Sequence, residues 1–426
     1  MKSKIHRLKN GLKIVTAPMK GNPTVTSMVM VNAGADFETK DNNGLSHFLE
    51  HMCFKGTTNR PSSKIISTEL DGLGAQYNAY TDREITNYYT KVDAKLWKKA
   101  FAVIADVYLN STFPETEIEK EKGVIVEELN MYEDMPERKV WHILAEGMYG
   151  EHFAGRTIGG TKENVLKFTR DDFATYHQTH YVPAKTTIVI AGGITEKEML
   201  TEAKKYFATL TEGKVIKKPK FKNDTAFPQV VSFEKKTDQT HTVLAFDTVP
   251  KGHKDATVLA VLGAILGSGM SSRLFNLLRE ELGVAYYVYA FHDSESDRGL
   301  FCIPAGVTTA RLNEVVEKIV LLCNDVAKNG VGNEELKKVK QHMIGNIKMG
   351  LESSDAVAGF FGPQALILGI VETPEEKIKK IQAVTEKDLV RVAGKYLVKE
   401  RAVFAVVGPT CDTKKLASTI SALGVR

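Results

Sequence analysis

The sequence predicts an α+β protein made of two homologous domains, each a mixed β-sheet with helices packed on it. Segment 73–82 (LGAQYNAYTD) resembles segment 282–291 (LGVAYYVYAF), about half the chain further on. Both segments alternate small and aromatic residues, as a strand does. Strands and helices do not alternate strictly in either half, which favours α+β over a doubly wound parallel sheet.

The similarity between the halves extends outward from these segments. Residues 24–34 and 240–250 both have the composition of strands, and residues 117–131 and 335–349 both have a charged, helical pattern. A long internal duplication is the simplest explanation of three matching pairs in the same order.

The expected domain boundaries follow from a segment that lacks apolar periodicity. Residues 211–229 are basic and contain two prolines, which is typical of a linker. We therefore expect one domain over residues 1–210 and a second, homologous domain over residues 230–426.

Composition excludes several classes of protein. The 426 residues are 43% hydrophobic and 26% charged, which is typical of a globular protein, and the net charge of +5 gives no support to nucleic-acid binding. No run of about 18 apolar residues predicts a membrane span. The four cysteines are scattered and form no CxxC pair, which indicates free thiols and a cytoplasmic protein.

The segment GLSHFLEHMCF contains the candidate metal site. His47 and His51 are four residues apart, so a helix would place both imidazoles on one face, one turn apart. Glu50 leans toward the same face, where a carboxylate can accept a proton from water at a metal ion. Two histidines at this spacing arise often by chance, but the combination His-x-x-Glu-His is the inverted zincin motif.

A hydrolytic zinc site needs a third protein ligand, and the helical segment 117–134 supplies the best candidate. Glu121 and Glu128 are seven residues apart and therefore share one helix face. We expect Glu128 to be the third ligand and Glu121 to orient a histidine ring. Without the motif, both glutamates would be read as part of a solvated helix face.

These residues resemble the M16 peptidases, the pitrilysin or insulinase family, which includes the mitochondrial processing peptidase. Glu128 lies 77 residues after His51, the spacing at which the family carries its glutamate ligand. The resemblance covers nearly the whole chain, including residues 44–57 and 277–290. The length of the chain resembles that of the short-chain members of the family. It implies a zinc endopeptidase that cleaves unfolded peptides or precursor segments.

The duplication acts as an internal control on this resemblance. His47, Glu50 and His51 align with Val258, Val261 and Leu262, and Glu128 aligns with Asn346. The second half therefore keeps the scaffold and lacks the ligands, so we expect one zinc ion per chain.

The resemblance also assigns a role to Arg279 and Tyr286, which match a pair that contacts the substrate carbonyl in family members. A cation and a phenol suit the stabilisation of a developing oxyanion. In the family these residues face the zinc across a closed chamber between two subunits. The resemblance thus implies a homodimer in which Arg279 and Tyr286 serve the partner's zinc.

The segment from Gly74 to Val92 resembles the edge strand that pairs with the substrate backbone in this family. Asn78, Ala79 and Tyr80 are the candidates for that contact, although an ordinary pair of strands within the sheet is an equally good interpretation.

Two other functions are alternatives to the peptidase hypothesis. A non-catalytic, peptide-binding subunit of the same family usually lacks one or more ligands, and all of them are present here. A nucleotide site at Gly267-Ser-Gly-Met-Ser-Ser lacks the lysine of a phosphate loop, so a turn is the better interpretation.

Overall fold

The computed structural model describes residues 3–222 and 227–424. Its strands are β1 (Lys4–Arg7), β2 (Lys13–Pro18), β3 (Thr24–Val31), β4 (Gln76–Thr81), β5 (Thr86–Asp93), β6 (Thr186–Gly192), β7 (Val230–Glu234), β8 (Thr240–Asp247), β9 (Ala285–Val288), β10 (Phe291–Ser294), β11 (Gly299–Val307) and β12 (Ala402–Gly408).

The α-helices are α1 (Leu45–Cys53), α2 (Ser63–Gly72), α3 (Trp97–Leu109), α4 (Glu115–Asp134), α5 (Pro136–Tyr149), α6 (Lys162–Lys167), α7 (Arg170–His180), α8 (Glu196–Phe207), α9 (Ala256–Gly267), α10 (Arg273–Phe275), α11 (Leu312–Asn329), α12 (Asn333–Gly350), α13 (Ser354–Pro363), α14 (Pro374–Ala383), α15 (Glu386–Tyr396) and α16 (Thr413–Ile420). A π-helical segment, Asn276–Glu281, continues α10.

The two sheets share one strand order apart from their edges, where β1 has no counterpart among the described residues of the second sheet and both β9 and β10 pair with β11, and this confirms the predicted fold class. The first has the strand order β1-β2-β6-β3-β5-β4, and the second has the order β7-β12-β8-β11-β10, with β9 also paired to β11. In each sheet one parallel pair, β2 with β6 or β7 with β12, adjoins antiparallel strands. Both sheets are therefore mixed, and the order repeats as the sequence duplication predicts.

The first compact unit contains Met1–Leu129, Thr157–Pro219 and Ile347–Glu376. One face of its sheet packs against a large core that includes Phe48, Phe101 and Phe173, from α1, α3 and α7. The opposite face packs against Phe361 and its neighbours on α13. This helix comes from the second half of the sequence.

The second compact unit contains Asn130–Arg156, Lys220–Asn346 and Lys377–Arg426. Its sheet contributes Val243 and Val403 to a core with Leu144 and Met148, which lie on α5. This helix comes from the first half of the sequence. Each unit thus includes a helix from the other half of the chain, while the predicted domain limits at residues 210 and 230 stay a prediction.

The structure also describes most of the predicted linker and all four cysteines. In the predicted linker, residues 211–222 and 227–229 lie outside any helix or strand, and residues 223–226 lie outside the described residues. The four cysteines are free thiols. No helix in the described part of the chain is long and apolar enough to cross a membrane.

The segment from Gly74 to Val92 differs from the single edge strand that the sequence suggested. It forms a hairpin in which β4 lies at the sheet edge and β5 lies inside, between β3 and β4. The charged turn at residues 82–85 separates the two strands, so the segment contains the ordinary strand pair that the sequence left open as an alternative.

Candidate metal centre

The helix that carries both histidines begins at a residue that must be glycine. Gly44 precedes α1 with φ +101°, in the left-handed region, and a Cβ there would lie 2.6 Å from the carbonyl oxygen of Gly159. A side chain at this position would therefore be strained and would also push the loop containing Gly159 away from the helix.

A buried carboxylate completes the start of α1. Glu38 accepts hydrogen bonds from the backbone N–H groups of Gly44 at 2.8 Å and Ser46 at 2.6 Å, and from the Asn43 amide at 2.9 Å. Burial raises the pKa of Glu38, against the opposing effect of these hydrogen bonds. The contacts satisfy helix N–H groups that have no partner inside the helix, and so hold the helix that carries both histidines in place.

The predicted ligands converge in the first unit. His47, His51 and Glu128 offer ligand atoms that all lie within 4.8 Å of one another. His47 Nε2 lies 3.7 Å from Glu128 Oε1, and His51 Nε2 lies 3.7 Å from Glu128 Oε2. The i, i+4 spacing on α1 brings the two rings to a centroid distance of 4.7 Å, and α4 supplies the carboxylate.

Glu121 lies between His51 and Lys55. Its Oε1 lies 2.9 Å from His51 Nδ1, and its Oε2 lies 2.5 Å from Lys55 Nζ. Burial raises the pKa of Glu121, but its bonds to His51 and Lys55 outweigh that effect and lower the pKa overall. The ionised carboxylate can only accept, so Nδ1–H of His51 donates, and in the neutral ring Nε2 then has a lone pair on the side of Glu128.

The electrostatics of the two imidazoles differ although they are neighbours. Burial and the nearby His51 lower the pKa of His47 to about 4, so its ring is neutral at physiological pH. Burial also lowers the pKa of His51, but the bond to Glu121 and the charges of Glu50 and Glu128 reverse this and raise it. A neutral His47 is ready to bind a cation, while His51 is the ring at which a proton and a metal ion compete.

Glu50 is held beside the ligands by a residue that the sequence did not indicate. The Thr81 hydroxyl donates to Glu50 Oε2 at 2.6 Å. Burial raises the pKa of Glu50, against the opposing effects of this hydrogen bond and of His51. A carboxylate with a raised pKa is suited to accept and return a proton near neutral pH.

The predicted substrate-contacting residues lie on β4, in the same unit as the ligands. Asn78 and Tyr80 are exposed and Ala79 is half-buried. Within the described residues, β4 pairs with β5 along one edge and has no strand partner along the other. Thr81, the last residue of β4, is the contact between this strand and Glu50. The alternation of side chains along a strand predicts that Thr81 shares a face with Tyr77 and Ala79, but only the fold shows that Thr81 contacts Glu50.

Arg279 and Tyr286 lie together in the second unit. The Arg279 guanidinium donates to the backbone carbonyl of Tyr286, and its carbon atom lies 5.7 Å from the centre of the Phe275 ring. Tyr286 is 58% exposed, and its phenol is available to a ligand. The two residues are thus brought together by the π-helical turn that precedes β9.

The positions equivalent to the ligands have apolar or amide side chains in the second unit. Val258, Val261 and Leu262 are buried on α9. The side-chain amide nitrogen of Asn346, on α12, lies 3.2 Å from Nε2 of His342.

The sequence contains a further pair of neighbouring histidines, His177 and His180, and both rings make structural contacts. His177 Nε2 bonds to the Tyr108 carbonyl at 2.8 Å, and the His180 ring stacks on Tyr176.

Comparisons with known proteins agree with this arrangement. The family profile described as Insulinase (Peptidase family M16) matches residues 13–162, and the profile described as Peptidase M16 inactive domain matches residues 167–343. The candidate metal ligands all lie within the first match, and the equivalent apolar positions at 258–262 lie within the second.

Full-length relatives are similar over almost the whole chain. An uncharacterized zinc protease of Bacillus subtilis (strain 168) is 36% identical over 415 residues, which are 96% of this chain and 98% of the relative. An uncharacterized zinc protease of Rickettsia bellii (strain RML369-C) is 32% identical over 406 residues, covering 95% and 97% of the two chains.

Solved structures share the fold at lower identity. A protease from Helicobacter pylori superposes with a TM-score of 0.87 at 23% identity, over 96% of this chain and 99% of that one. A peptidase M16 inactive domain from Pseudomonas fluorescens gives a TM-score of 0.89 at 18% identity, over 96% and 99%.

Proposed function

This chain belongs to the M16 family of peptidases, and on that premise we propose that it is a zinc-dependent endopeptidase. The observation that carries the proposal is the convergence of His47, His51 and Glu128 beside Glu50. The names of its relatives, which are zinc proteases, support the same activity.

The donor set fits zinc in kind and in spacing. Zinc in hydrolytic sites takes imidazole nitrogens and a carboxylate oxygen and leaves one position open. Two ligand atoms about 2.1 Å from a tetrahedral ion stand about 3.4 Å apart. The 3.7 Å separations between each Nε2 and Glu128 are close to that value. We therefore propose one zinc ion per chain, held by these three side chains.

Glu50 is the proposed general base and acid. When bound, zinc would polarise the substrate carbonyl and lower the pKa of a water molecule toward neutrality. Glu50 would accept a proton from that water at the oxygen that does not bond to Thr81, and later return it to the leaving amine. Glu121 keeps the His51 ring in one tautomer and orientation throughout.

Substrate would bind as an extended segment beside β4. Main-chain pairing with an edge strand gives affinity with little dependence on sequence, and Asn78, Ala79 and Tyr80 are the proposed contacts. A substrate must be unfolded to present such a segment, so we propose unfolded peptides or precursor segments as substrates.

Arg279 and Tyr286 are the proposed donors to the oxyanion. Their proximity in the second unit and the exposure of the phenol support a shared role. Following the short-chain members of the family, we propose a homodimer with a closed chamber, in which this pair serves the zinc site of the partner subunit. A cytoplasmic location, expected from the cysteines, stays a prediction.

Digestion of a mixed peptide library tests the proposal. The zinc-loaded protein is expected to cleave unfolded peptides, and a chelator is expected to stop cleavage. The Glu50→Gln chain, measured in parallel, should retain its zinc and lose turnover by a factor of about 100 to 10,000. Mass spectrometry of the products and elemental analysis of the protein give both readouts.

Two outcomes would contradict this proposal. Cleavage by Glu50→Gln at nearly the rate of the unmodified chain would remove Glu50 from the chemistry. Stoichiometric zinc without any turnover would indicate a non-catalytic, peptide-binding subunit instead.

A further inference from the structure

Strand β4 has two faces that differ in what lies behind them. Tyr77, Ala79 and Thr81 pair with Thr90, Tyr88 and Thr86 of β5, and this face leads to Glu50 through Thr81. Gln76, Asn78 and Tyr80 point to the opposite face, because successive side chains in a strand alternate. A segment that paired with the free edge of β4 would therefore send every second side chain away from the metal ligands.

A cavity of about 430 Å³ lies on that opposite face. Its lining includes Gln76 and Asn78 of β4, Tyr89 and Lys91 of β5, and Asp355 near the start of α13. Gln76 is the direct cross-strand partner of Lys91, and Asn78 is the partner of Tyr89, so these four side chains share one face of the sheet. The cavity thus begins at the edge where an added strand would pair.

Lys91 and Asp355 give the cavity its chemical character. Lys91 Nζ lies 2.6 Å from Asp355 Oδ1, and the side chains are 23% and 44% exposed. Asp355 also accepts from the Ser353 side chain and from its own backbone N–H. Among the residues that the structure describes, the carboxylate therefore has three donors, whereas the ammonium group has one acceptor and two further N–H groups to offer.

The remaining capacity of the cavity is for a hydrogen-bond acceptor. Lys91 lies two strand spacings, about 10 Å, from the position of an added strand. Lys91 and a long side chain of the added strand can bridge that distance if they lean toward each other, whereas a short side chain of the added strand cannot reach the ammonium group. The amide groups of Gln76 and Asn78 lie between them and can donate to the same group.

We propose that this cavity is a specificity subsite for a substrate side chain that is long and ends in an acceptor, as glutamate and glutamine do. The inference rests on the proposed peptidase function and adds the side-chain class that one substrate position prefers. Only one position, and not its immediate neighbours, would carry the preference, because neighbouring side chains point to the face of the metal ligands.

Binding of peptides to the inactive Glu50→Gln protein tests the subsite without turnover. The probes are short unstructured peptides that carry one glutamate, glutamine, methionine or lysine at each position in turn. Glutamate and glutamine should bind about fivefold more tightly than lysine at one position. Lys91→Met should abolish this preference, and Asp355→Asn should keep or increase it, since the ammonium group is then released from its carboxylate.

Opposite effects of the two variants separate a subsite from a structural ion pair. If the pair served only the fold, Lys91→Met and Asp355→Asn would change peptide binding alike, and that result would overturn the proposal. Lys95→Met, at an exposed lysine outside the cavity, is the matched control and should leave the preference unchanged.

The cleavage library separates this inference from the proposed function. Chelator-sensitive cleavage with no acceptor preference at any position would overturn the subsite and leave the peptidase standing. If no cleavage occurred at all, the peptidase proposal would fail, while the binding measurements would still decide whether the cavity selects glutamate and glutamine.

Discussion

The Thr81 hydroxyl donates a 2.6 Å hydrogen bond to Glu50 Oε2, and so joins the edge strand β4 to the proposed general base. Because Thr81 is the last residue of the strand, the proposed pairing of a substrate with β4 would be physically connected to the orientation of Glu50. A hydrogen bond to a charged group contributes about 1.5–3 kcal/mol, enough to fix one rotamer of the carboxylate.

The first prediction concerns this bond. Thr81→Val, which keeps the shape of the side chain and removes the donor, is expected to lower kcat about tenfold or more with little change in KM. Zinc content should not change. Thr81→Ser retains the hydroxyl and should restore most of the turnover. Equal kcat values for the valine and serine variants would show that the hydroxyl does not position Glu50.

The second prediction concerns the carboxylate behind His51. Glu121→Gln is expected to weaken zinc binding about 10- to 100-fold, because a neutral amide, which can donate as well as accept, replaces the charged acceptor that fixes the tautomer of the ring. Competition with a chromophoric chelator measures the affinity. Glu119→Gln changes an exposed glutamate of the same helix, bonded to Lys122, and should bind zinc normally. If the two variants bound zinc alike, Glu121 would have no role at the site.

The third prediction tests the proposed shared site. Glu50→Gln and Arg279→Ala should each be inactive alone, and a mixture that exchanges subunits should recover about a quarter of the unmodified activity. Half of the dimers would then be mixed, each with one intact site. Mixing Glu50→Gln with His47→Ala is the control, since both changes damage the same zinc site and no intact site can form. Failure of the first mixture to recover activity would exclude a site shared between subunits.

The fourth prediction concerns a buried lysine that lies over the ring of Phe37. Lys185 is 5% exposed, and its ammonium group lies 3.7 Å from the centre of the Phe37 ring. Burial lowers its pKa from 10.5 to about 8. Below pH 8 the group is charged in both the folded and the unfolded chain, and the fold bears the cost of the buried charge. Above about pH 10.5 both states are neutral and the cost is gone.

Lys185→Met is therefore expected to raise the melting temperature by about 3 °C at pH 7, even after loss of the contact with Phe37. The advantage should shrink as the pH rises from 8 to 10.5, because the unfolded chain holds its proton longer than the folded one. Calorimetry at several pH values measures the difference, with the exposed Lys162→Met as control. A difference that did not vary with pH would mean that the buried charge is not its source.

Much of the metal site was accessible from local sequence. The spacing of His47 and His51 predicts one helix face, and the spacing of Glu121 and Glu128 predicts another, because the period of an α-helix is a local property. The structure places both pairs in α1 and α4. Residue type alone does not identify the buried face of α4, because Val124 is 53% exposed whereas Glu121 is buried.

Two residues around the site carried no comparable signal. Glu38 lies in an irregular segment before α1, and Thr81 is a small polar residue at the end of a strand. Their roles arise from contacts with residues 8 and 31 positions away in the sequence, Ser46 and Glu50. No periodic pattern links residues in different elements, so only their placement in space reveals these hydrogen bonds.

By itself, the sequence determined the fold class, the duplication, and the two helices whose spacing carries the candidate ligands, since these depend on periods and repeats within short stretches. The tertiary structure alone decided which sheet each helix covers. It places α13 on the sheet of the first unit and α5 on that of the second, and it places Thr81 against Glu50. An apolar helix face indicates that something must cover it, but the choice of partner depends on the path of the whole chain.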